Sequence, residues 1–138
     1  MKKLIFLLLL LTACTHKEDA PGTYVPHIAG SWIGNGTDDS IGYYNWSVDL
    51  TQSNSSAAGS FTTSGGYGTT SGSIYLTLDQ GNLVGLTMSR TSGVCLGTAN
   101  LSGPVTITNT DVAFYYTISD CHGVNSGGAN LHKIVGTN

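Results

Sequence analysis

The fold is decided by the stretch YYNWSVDLTQ, residues Tyr43 to Gln52. Large apolar residues occupy the even positions from 44 to 50, and polar residues occupy the odd positions from 45 to 51. A period of two is the pattern of a β-strand that buries one face and exposes the other to solvent. No later stretch keeps a helical period over the roughly 10–12 residues that a helix needs. We therefore predict an all-β protein.

The same alternation recurs along the chain between segments rich in glycine, serine and asparagine. It predicts eight strands, over residues 29–35, 43–52, 57–63, 71–79, 83–90, 96–108, 112–119 and 129–135. The tetrapeptide Asp79-Gln80-Gly81-Asn82 is a strong hairpin signal. Pro104 indicates a break or bulge inside the sixth strand. Residues 35–39 and 121–128 are interpreted as loops.

Short connections between consecutive strands favour antiparallel neighbours. Eight strands suffice to close a barrel whose interior holds side chains or one small ligand. The predicted fold is therefore an up-and-down antiparallel β-barrel of about eight strands, and a β-sandwich is the alternative. A barrel that spans the outer membrane needs a continuous apolar band on its outward face. The outward positions here are mostly Ser, Thr, Asn and Asp, so we do not expect the barrel to span.

The N-terminus carries the pattern of an export signal. Lys2 and Lys3 precede an apolar run that ends in Leu11-Thr12-Ala13-Cys14. The run is much shorter than the about 20 apolar residues of a transmembrane helix, and it is typical of a secretory signal. It resembles the bacterial lipoprotein signal, which implies cleavage before Cys14, diacylation of the Cys14 sulfur and acylation of the new amine. A secretory signal without lipid is the alternative.

This resemblance also implies a location and a domain organisation. Thr15, and not aspartate, follows the lipidated cysteine, which resembles the pattern of sorting to the outer membrane. We expect a cell-envelope protein that lipid on Cys14 anchors to the outer membrane. Residues 1–13 would be the lipoprotein signal peptide, residues 14–27 the lipidated tether and residues 28–138 the β-barrel domain.

The charge balance excludes one class of partner. Charged residues make up only 9% of the chain, against about 25% in typical domains. Behind the signal, three lysines and arginines face eight acids, a net charge of −5 (3 − 8). Nucleic-acid binding requires a basic surface, so no nucleic-acid partner is expected.

Cys95 and Cys121 are the cysteines that remain besides Cys14. Export places them in an oxidising compartment, where a disulfide between them is the default. A metal site built from Asp120, Cys121 and His122 is the alternative.

The motif Gly30-Ser31-Trp32 opens the first predicted strand. A Gly-x-Trp at this position resembles the calycin group, which includes lipocalins and avidins. The resemblance implies that Trp32 closes the floor of the barrel and that a basic residue of a late strand, here Lys133, packs across it. The chain lacks other lipocalin motifs and a C-terminal helix, so no ligand is implied.

Few residues show a pattern typical of catalysis. Asp38 and Asp39 are interpreted as solvated turn residues, and His132 as a satisfied residue of the barrel. Glu18, the single glutamate, lies in the tether. We therefore predict a protein that is not an enzyme, with no catalytic residues, no metal and no cofactor.

The aromatic residues favour binding instead. Tyr44, Trp46 and Tyr116 are predicted to line a cavity or mouth that holds a small apolar or aromatic ligand, with Tyr67 as a contact at the rim. Alternatively, these rings simply fill the barrel. The predicted function is a lipid-anchored, non-enzymatic envelope barrel that binds such a ligand or a protein partner. The alternative is a periplasmic inhibitor of a lysozyme or protease that acts through the loop at 121–128. A cavity of several hundred cubic ångströms would favour a ligand carrier.

Overall fold

The structure is a computed structural model, and it describes residues 24–39 and 42–135. The predicted signal peptide, Cys14 and the predicted tether up to residue 23 lie outside the described residues. The regular elements of the described part are nine β-strands. They are β1 (Gly30–Asp38), β2 (Gly42–Ser53), β3 (Ser56–Gly65), β4 (Gly68–Asp79), β5 (Asn82–Ser92), β6 (Gly97–Leu101), β7 (Thr106–Ile107), β8 (Asp111–Asp120) and β9 (Gly123–Lys133). Among the described residues, no helix is long and apolar enough to cross a membrane.

Eight of these strands close into an antiparallel barrel. Strands β1 to β6 pair in sequence order, β6 pairs with β8, β8 pairs with β9, and β9 pairs back onto β1. Strand β7 is an addition of two residues that pairs with Val112 and Ala113 at the start of β8. The predicted all-β, up-and-down barrel is confirmed, and the β-sandwich is excluded because the sheet returns to its first strand.

Strands β6 and β7 are the two halves of the sixth predicted strand. Both pair with β8, and residues 102–105 between them leave the ladder. Pro104 has no N–H to donate to a neighbouring strand. A Cβ on Gly103 would lie 3.0 Å from the Tyr115 Cβ, so the backbone here passes close to the β8 side chains. The predicted break at this position is confirmed.

Two predicted loops are wrong, because the strands extend further than their local sequence indicates. Strand β1 continues through residues 35–38, and β9 begins at Gly123, so residues 123–128 are strand. The two extensions pair with each other at Thr37 with Gly128 and at Asp38 with Gly127, and they also pair with β2 and β8 respectively. Pairing with a neighbour supplies hydrogen-bond partners that offset the low strand propensity of glycine and asparagine.

Glycine in these extensions is required by the core. A Cβ on Gly36 would lie 2.7 Å from Trp46 Nε1, and a Cβ on Gly127 would collide with the ring of Tyr116. Both glycines face the interior, where the two aromatic rings occupy the space that a side chain would need. The strand ends are therefore glycine-rich because large rings from β2 and β8 lie against them.

The interior is filled by side chains from the inward face of every long strand. In β2, Tyr44, Trp46, Val48 and Leu50 are buried, as the alternation predicts. The Trp46 ring lies at the centre of an aromatic cluster. Its ring centroid is 5.2 Å from Phe61, 5.8 Å from Tyr44, 6.0 Å from Phe114 and 6.4 Å from Tyr116. Each such pair contributes about 0.5–1.5 kcal/mol beyond the burial of its area.

The end of the barrel that contains Trp32 is called the floor. Trp32 is buried, its Nε1 donates to the Ile28 carbonyl at 2.9 Å, and Lys133 Nζ lies 5.6 Å from the centre of its ring. This is the contact that the resemblance to calycins implies. Lys133 Nζ also donates to the His27 carbonyl at 3.0 Å. The floor is therefore closed by Trp32 and by the chain segment that precedes β1.

This preceding segment, residues 24–29, packs across the floor. Pro26 is buried, and the Gln52 side chain bridges the segment by accepting from the Ile28 N–H at 2.7 Å and donating to the Pro26 carbonyl at 3.0 Å. Asn109 Oδ1 accepts from the Tyr24 hydroxyl and from the His27 N–H, each at 3.0 Å. Residues 24–27, which the sequence assigns to the tether, thus lie against the barrel.

Trp32→Ala tests the role of the floor. We expect it to lower the free energy of unfolding by about 3–5 kcal/mol, because it removes a buried ring where the surrounding strands cannot collapse. A denaturant titration measures the change. Tyr43→Ala, which removes an exposed ring, is the matched control, with an expected change within about 0.5 kcal/mol. A loss of well under 1 kcal/mol for Trp32→Ala would contradict this role of Trp32.

Candidate functional site at the mouth of the barrel

The mouth is the end of the barrel opposite the floor, where β1, β3, β5 and β8 end and β2, β4, β6 and β9 begin. Of the predicted binding residues, Tyr44 and Tyr116 meet here, and their hydroxyl groups are in hydrogen-bonding contact. Tyr67 lies at the rim, in the turn between β3 and β4, with 68% of its surface exposed. Trp46 lies one layer deeper in the core. The structure thus brings three of the four residues towards the mouth and places Trp46 beneath them.

A buried ionic network that the sequence analysis missed closes the mouth. In the Arg90 guanidinium, Nη1 donates to Asp120 Oδ2 at 2.9 Å and Nη2 donates to Asp38 Oδ2 at 3.2 Å. The Arg90 side chain is 6% exposed, and both carboxylates are fully buried. Strands β5 and β1 are four places apart in the ring of eight, so Arg90 reaches across the barrel. The network ties three separate strands together.

The interpretation of Asp38 as a solvated turn residue is therefore wrong. Asp38 is the last residue of β1 and points inward, whereas Asp39 lies in the turn, is exposed and donates its N–H to the Ser126 carbonyl. A buried carboxylate needs a paired charge and hydrogen bonds. The barrel supplies both through Arg90, which the chain places 52 residues later.

The network could have been found by extending the alternation to the strand ends. Arg90 follows the inward residues Leu86 and Met88 at steps of two, and Asp120 follows Tyr116 and Ile118 in the same way. The period therefore places both charges inside the barrel. Charged residues next to turns are usually solvated, so the composition at the strand ends opposes what the period indicates.

Burial makes the two tyrosines of the mouth poor acids. It raises the pKa of Tyr44 to about 12, and Tyr116 and Arg90 offset part of this shift. Burial also raises the pKa of Tyr116, and the neighbouring Tyr44 raises it further. Tyr44 donates to the Thr37 carbonyl at 3.4 Å, so Tyr116 donates to Tyr44. Both phenols are neutral at physiological pH, and they link β1, β2 and β8 through hydroxyl groups.

The open space at the mouth is small. A pocket of about 50 Å³ lies above the tyrosines, between the rim and the disulfide region. It is lined by Tyr44, Thr63, Gly65, Gly66, Tyr67, Gly68, Thr70, Arg90, Val94, Cys95 and His122. Pockets for drug-sized ligands measure about 300–1,000 Å³. Wider depressions of about 150 and 320 Å³ lie along the barrel wall, not at the mouth. The aromatic rings therefore fill the barrel more than they line a cavity.

Cys95 and Cys121 lie at disulfide distance beside this pocket, with their Cα atoms 5.6 Å apart, as predicted. They join the connection between β5 and β6 to the turn between β8 and β9. The Cys121 N–H donates to Cys95 Sγ at 2.8 Å, and His122 Nδ1 lies 3.8 Å from Cys121 Sγ. In the alternative metal site, Asp120 was expected to be a ligand. Instead its carboxylate binds Arg90 and accepts the His122 N–H at 2.9 Å.

His132 lies far from this site. It is an exposed residue on the outer face of β9 near the floor, and its Nδ1 is hydrogen-bonded to the Asp111 carboxylate. Hydrogen bonds from the side chains of Thr110 and His132 lower the pKa of Asp111. His132 is thus satisfied, but by a partner on the surface and not inside the barrel.

Arg90→Met tests the ionic network. We expect a loss of about 3–5 kcal/mol in the free energy of unfolding, because two buried carboxylates lose their cation. The triple variant Arg90→Met, Asp38→Asn, Asp120→Asn is the matched control. It should regain much of that loss, because it also removes the two buried negative charges that Arg90→Met leaves without their cation. Denaturant titration of both variants gives the two values. Equal losses for the single and triple variants would show that the charges are not coupled.

The raised pKa of Tyr44 predicts a pH dependence of stability. The unfolded chain releases the Tyr44 proton near pH 10, whereas the folded protein holds it to about pH 12. The contribution of Tyr44 is therefore complete below pH 10 and falls as pH rises above it, by at most about 1.4 kcal/mol per pH unit. Urea titrations between pH 8 and 11 should show a steeper loss for the natural protein than for Tyr44→Phe. Parallel curves would contradict this prediction.

Comparison with known proteins assigns no family to the chain. Neither a protein-family model, nor a curated protein, nor a solved structure matches it. The function is therefore inferred from the geometry and chemistry of the mouth.

Proposed function

We propose that this protein is a lipid-anchored, non-enzymatic barrel of the cell envelope that binds a protein partner at its mouth. The observation that carries the proposal is a ring of exposed apolar side chains around a filled barrel. We call this ring the apolar rim; it consists of Tyr43, Tyr67, Val94, Leu96 and Val124. Val94 is 74% exposed, although burial would stabilise such a side chain. Exposed apolar residues that cluster mark interaction surfaces.

The size of the mouth pocket favours a protein over a small-molecule ligand. About 50 Å³ accommodates part of one apolar side chain, and the rim offers further contact around it. Tyrosine is enriched at protein interfaces because its ring supplies apolar area and its hydroxyl group a hydrogen bond. Interfaces commonly depend on a few anchors that fill such pockets. We infer that the partner inserts an apolar or aromatic side chain between Tyr67 and Val94.

The direction of the chain supports a mouth that faces away from the anchor. The described chain begins with Tyr24 at the floor, and its hydrogen bonds to Asn109 hold it there. If Cys14 is lipidated, the nine residues 15–23 lead from the lipid to the floor. Fully extended, they span at most roughly 30 Å. A tether at the floor leaves the opposite end of the barrel open to a partner.

The pairing of the charged groups supports a non-enzymatic role. Arg90 binds both Asp38 and Asp120 across the barrel, which is an arrangement that fixes the positions of strand ends. An inhibitor of an envelope lysozyme or protease is one form that partner binding can take. The predicted inhibitory loop at 121–128 is a tight turn followed by strand, so the element that would enter an enzyme is the connection at 93–96.

A site-specific photocrosslink tests the mouth as a docking surface. A photoreactive amino acid would replace Val94 or Tyr67 in the full chain, expressed in the envelope of its own host. Val84, an exposed residue at the floor end, is the matched control position. We expect the same protein-sized adduct from both mouth positions and none from the control. The double variant Val94→Asp, Tyr67→Asp, with the photoreactive residue at Leu96, should lose the adduct.

Two further outcomes separate the parts of the proposal. Native mass spectrometry of the released domain should show a bare mass; a small adduct that leaves on denaturation would favour the small-ligand alternative and contradict protein binding. Cys14→Ser should move the protein from the membrane to the soluble fraction. A Cys14→Ser protein that stays with membranes after a high-salt wash would contradict the lipid anchor. Equal crosslinking at Val94, Tyr67 and the control position Val84 would contradict a specific docking surface at the mouth.

A further inference from the structure

The geometry around the disulfide points to a second state of the mouth. We propose that Cys95, Cys121 and His122 form a binding site for Zn²⁺ once the disulfide is reduced. One ligand atom from each residue lies within 4.8 Å of the other two. With Zn–S near 2.3 Å and Zn–N near 2.0–2.1 Å, ligands of a tetrahedral ion lie roughly 3.5–3.8 Å apart. Cys121 Sγ and His122 Nδ1 are already 3.8 Å apart.

The sulfur atoms have room to separate without a change in the barrel. Cys121 and His122 occupy the turn between β8 and β9, and Cys95 lies in the connection before β6, so none of the three belongs to a ladder. The pair Gly97 and Asp120, one or two residues away, holds both segments in register. Breaking the S–S bond therefore allows the sulfurs to reach zinc spacing mainly by side-chain rotation, from Cα atoms that are 5.6 Å apart.

Zn²⁺ binds cysteine in the thiolate form. The Cys121 N–H already donates to Cys95 Sγ at 2.8 Å. Two thiolates and a neutral imidazole balance the charge of Zn²⁺. The Asp120 carboxylate accepts the His122 N–H at 2.9 Å and so holds the turn that carries two of the ligands.

The reduction requires two electrons, for which we name a protein dithiol of the envelope as the donor. A thiolate of that dithiol attacks the sulfur of Cys121, which is exposed, whereas Cys95 is 6% exposed. The Cys95–Cys121 bond breaks, Cys95 leaves as the thiolate, and a mixed disulfide forms. The second thiol of the donor resolves it, which releases the Cys121 thiolate and leaves the donor oxidised. The two thiol protons of the donor pass to water, and Zn²⁺ then binds both thiolates.

Three protein ligands leave the fourth position of a tetrahedral zinc ion open. Water or a donor atom from another molecule would fill that position. The site lies beside Val94, but it does not rest on the proposed partner, and it can be tested with the purified chain alone.

The test compares the oxidised chain with the chain reduced by a phosphine, with Zn²⁺ as the probe and a chromophoric chelator as competitor. We expect 1:1 binding by the reduced chain only. His122→Ala should weaken it at least roughly tenfold, and Cys95→Ser should abolish it. His132→Ala, which removes an exposed histidine near the floor, is the matched control and should bind as the natural chain does. Co²⁺ should give the thiolate charge-transfer and d–d absorption of tetrahedral coordination.

Circular dichroism shows whether the barrel stays folded without the disulfide. It is measured on the reduced chain and on the double variant Cys95→Ser, Cys121→Ser. Both should keep the strand signal of the barrel. A reduced chain that is folded but binds no Zn²⁺, an oxidised chain that binds equally well, or a His122→Ala variant with unchanged affinity would each overturn the proposal. Loss of the fold on reduction would overturn it as well, because the site requires an intact turn between β8 and β9.

Discussion

Closure of the sheet is the constraint on which the rest of the structure depends. The pairing of β9 with β1 and of β6 with β8 joins eight strands into a ring, and the interior of such a ring holds side chains or one small ligand. Every second residue of each strand must then fit a fixed space. Large rings from Trp46 and Tyr116 fit because Gly36 and Gly127 face them. The same limit on space leaves little volume for a ligand inside.

The two ends of the barrel are closed by different physical means. At the floor, burial of Trp32, Pro26 and Ile28 supplies apolar contact, and hydrogen bonds with Gln52 fix the position of the segment at 24–29. At the mouth, an arginine binds two carboxylates that are removed from water. A buried ion pair contributes little net stability compared with apolar residues of similar volume. We therefore infer that the network mainly fixes the positions of the strand ends that carry the mouth.

The features that indicate interaction are concentrated at this fixed end. Tyr67 and Val94 of the apolar rim, Cys95 of the disulfide and His122 line one small pocket together with Arg90, at the end of the barrel opposite Tyr24. Val94 directly precedes Cys95 in the chain. A change from disulfide to zinc thiolate would therefore act on the same connection that presents Val94 of the rim. Partner binding and the redox state of the cysteines would then be coupled through one short segment.

The sequence by itself determined the properties that depend on residues close together in the chain. The period of two predicted the strands and the barrel, and Pro104 predicted the break between β6 and β7. The predicted export signal favoured a disulfide between Cys95 and Cys121. Only the tertiary structure decided that residues 35–38 and 123–128 are strand, because their partners lie on other strands, on β2 and β9 for the first segment and on β1 and β8 for the second. It also decided the partners of Arg90, which lie 52 and 30 residues away. Whether the aromatic rings line a cavity or fill the barrel depends on the combined volume of all inward side chains, and no local pattern in the sequence determines that volume.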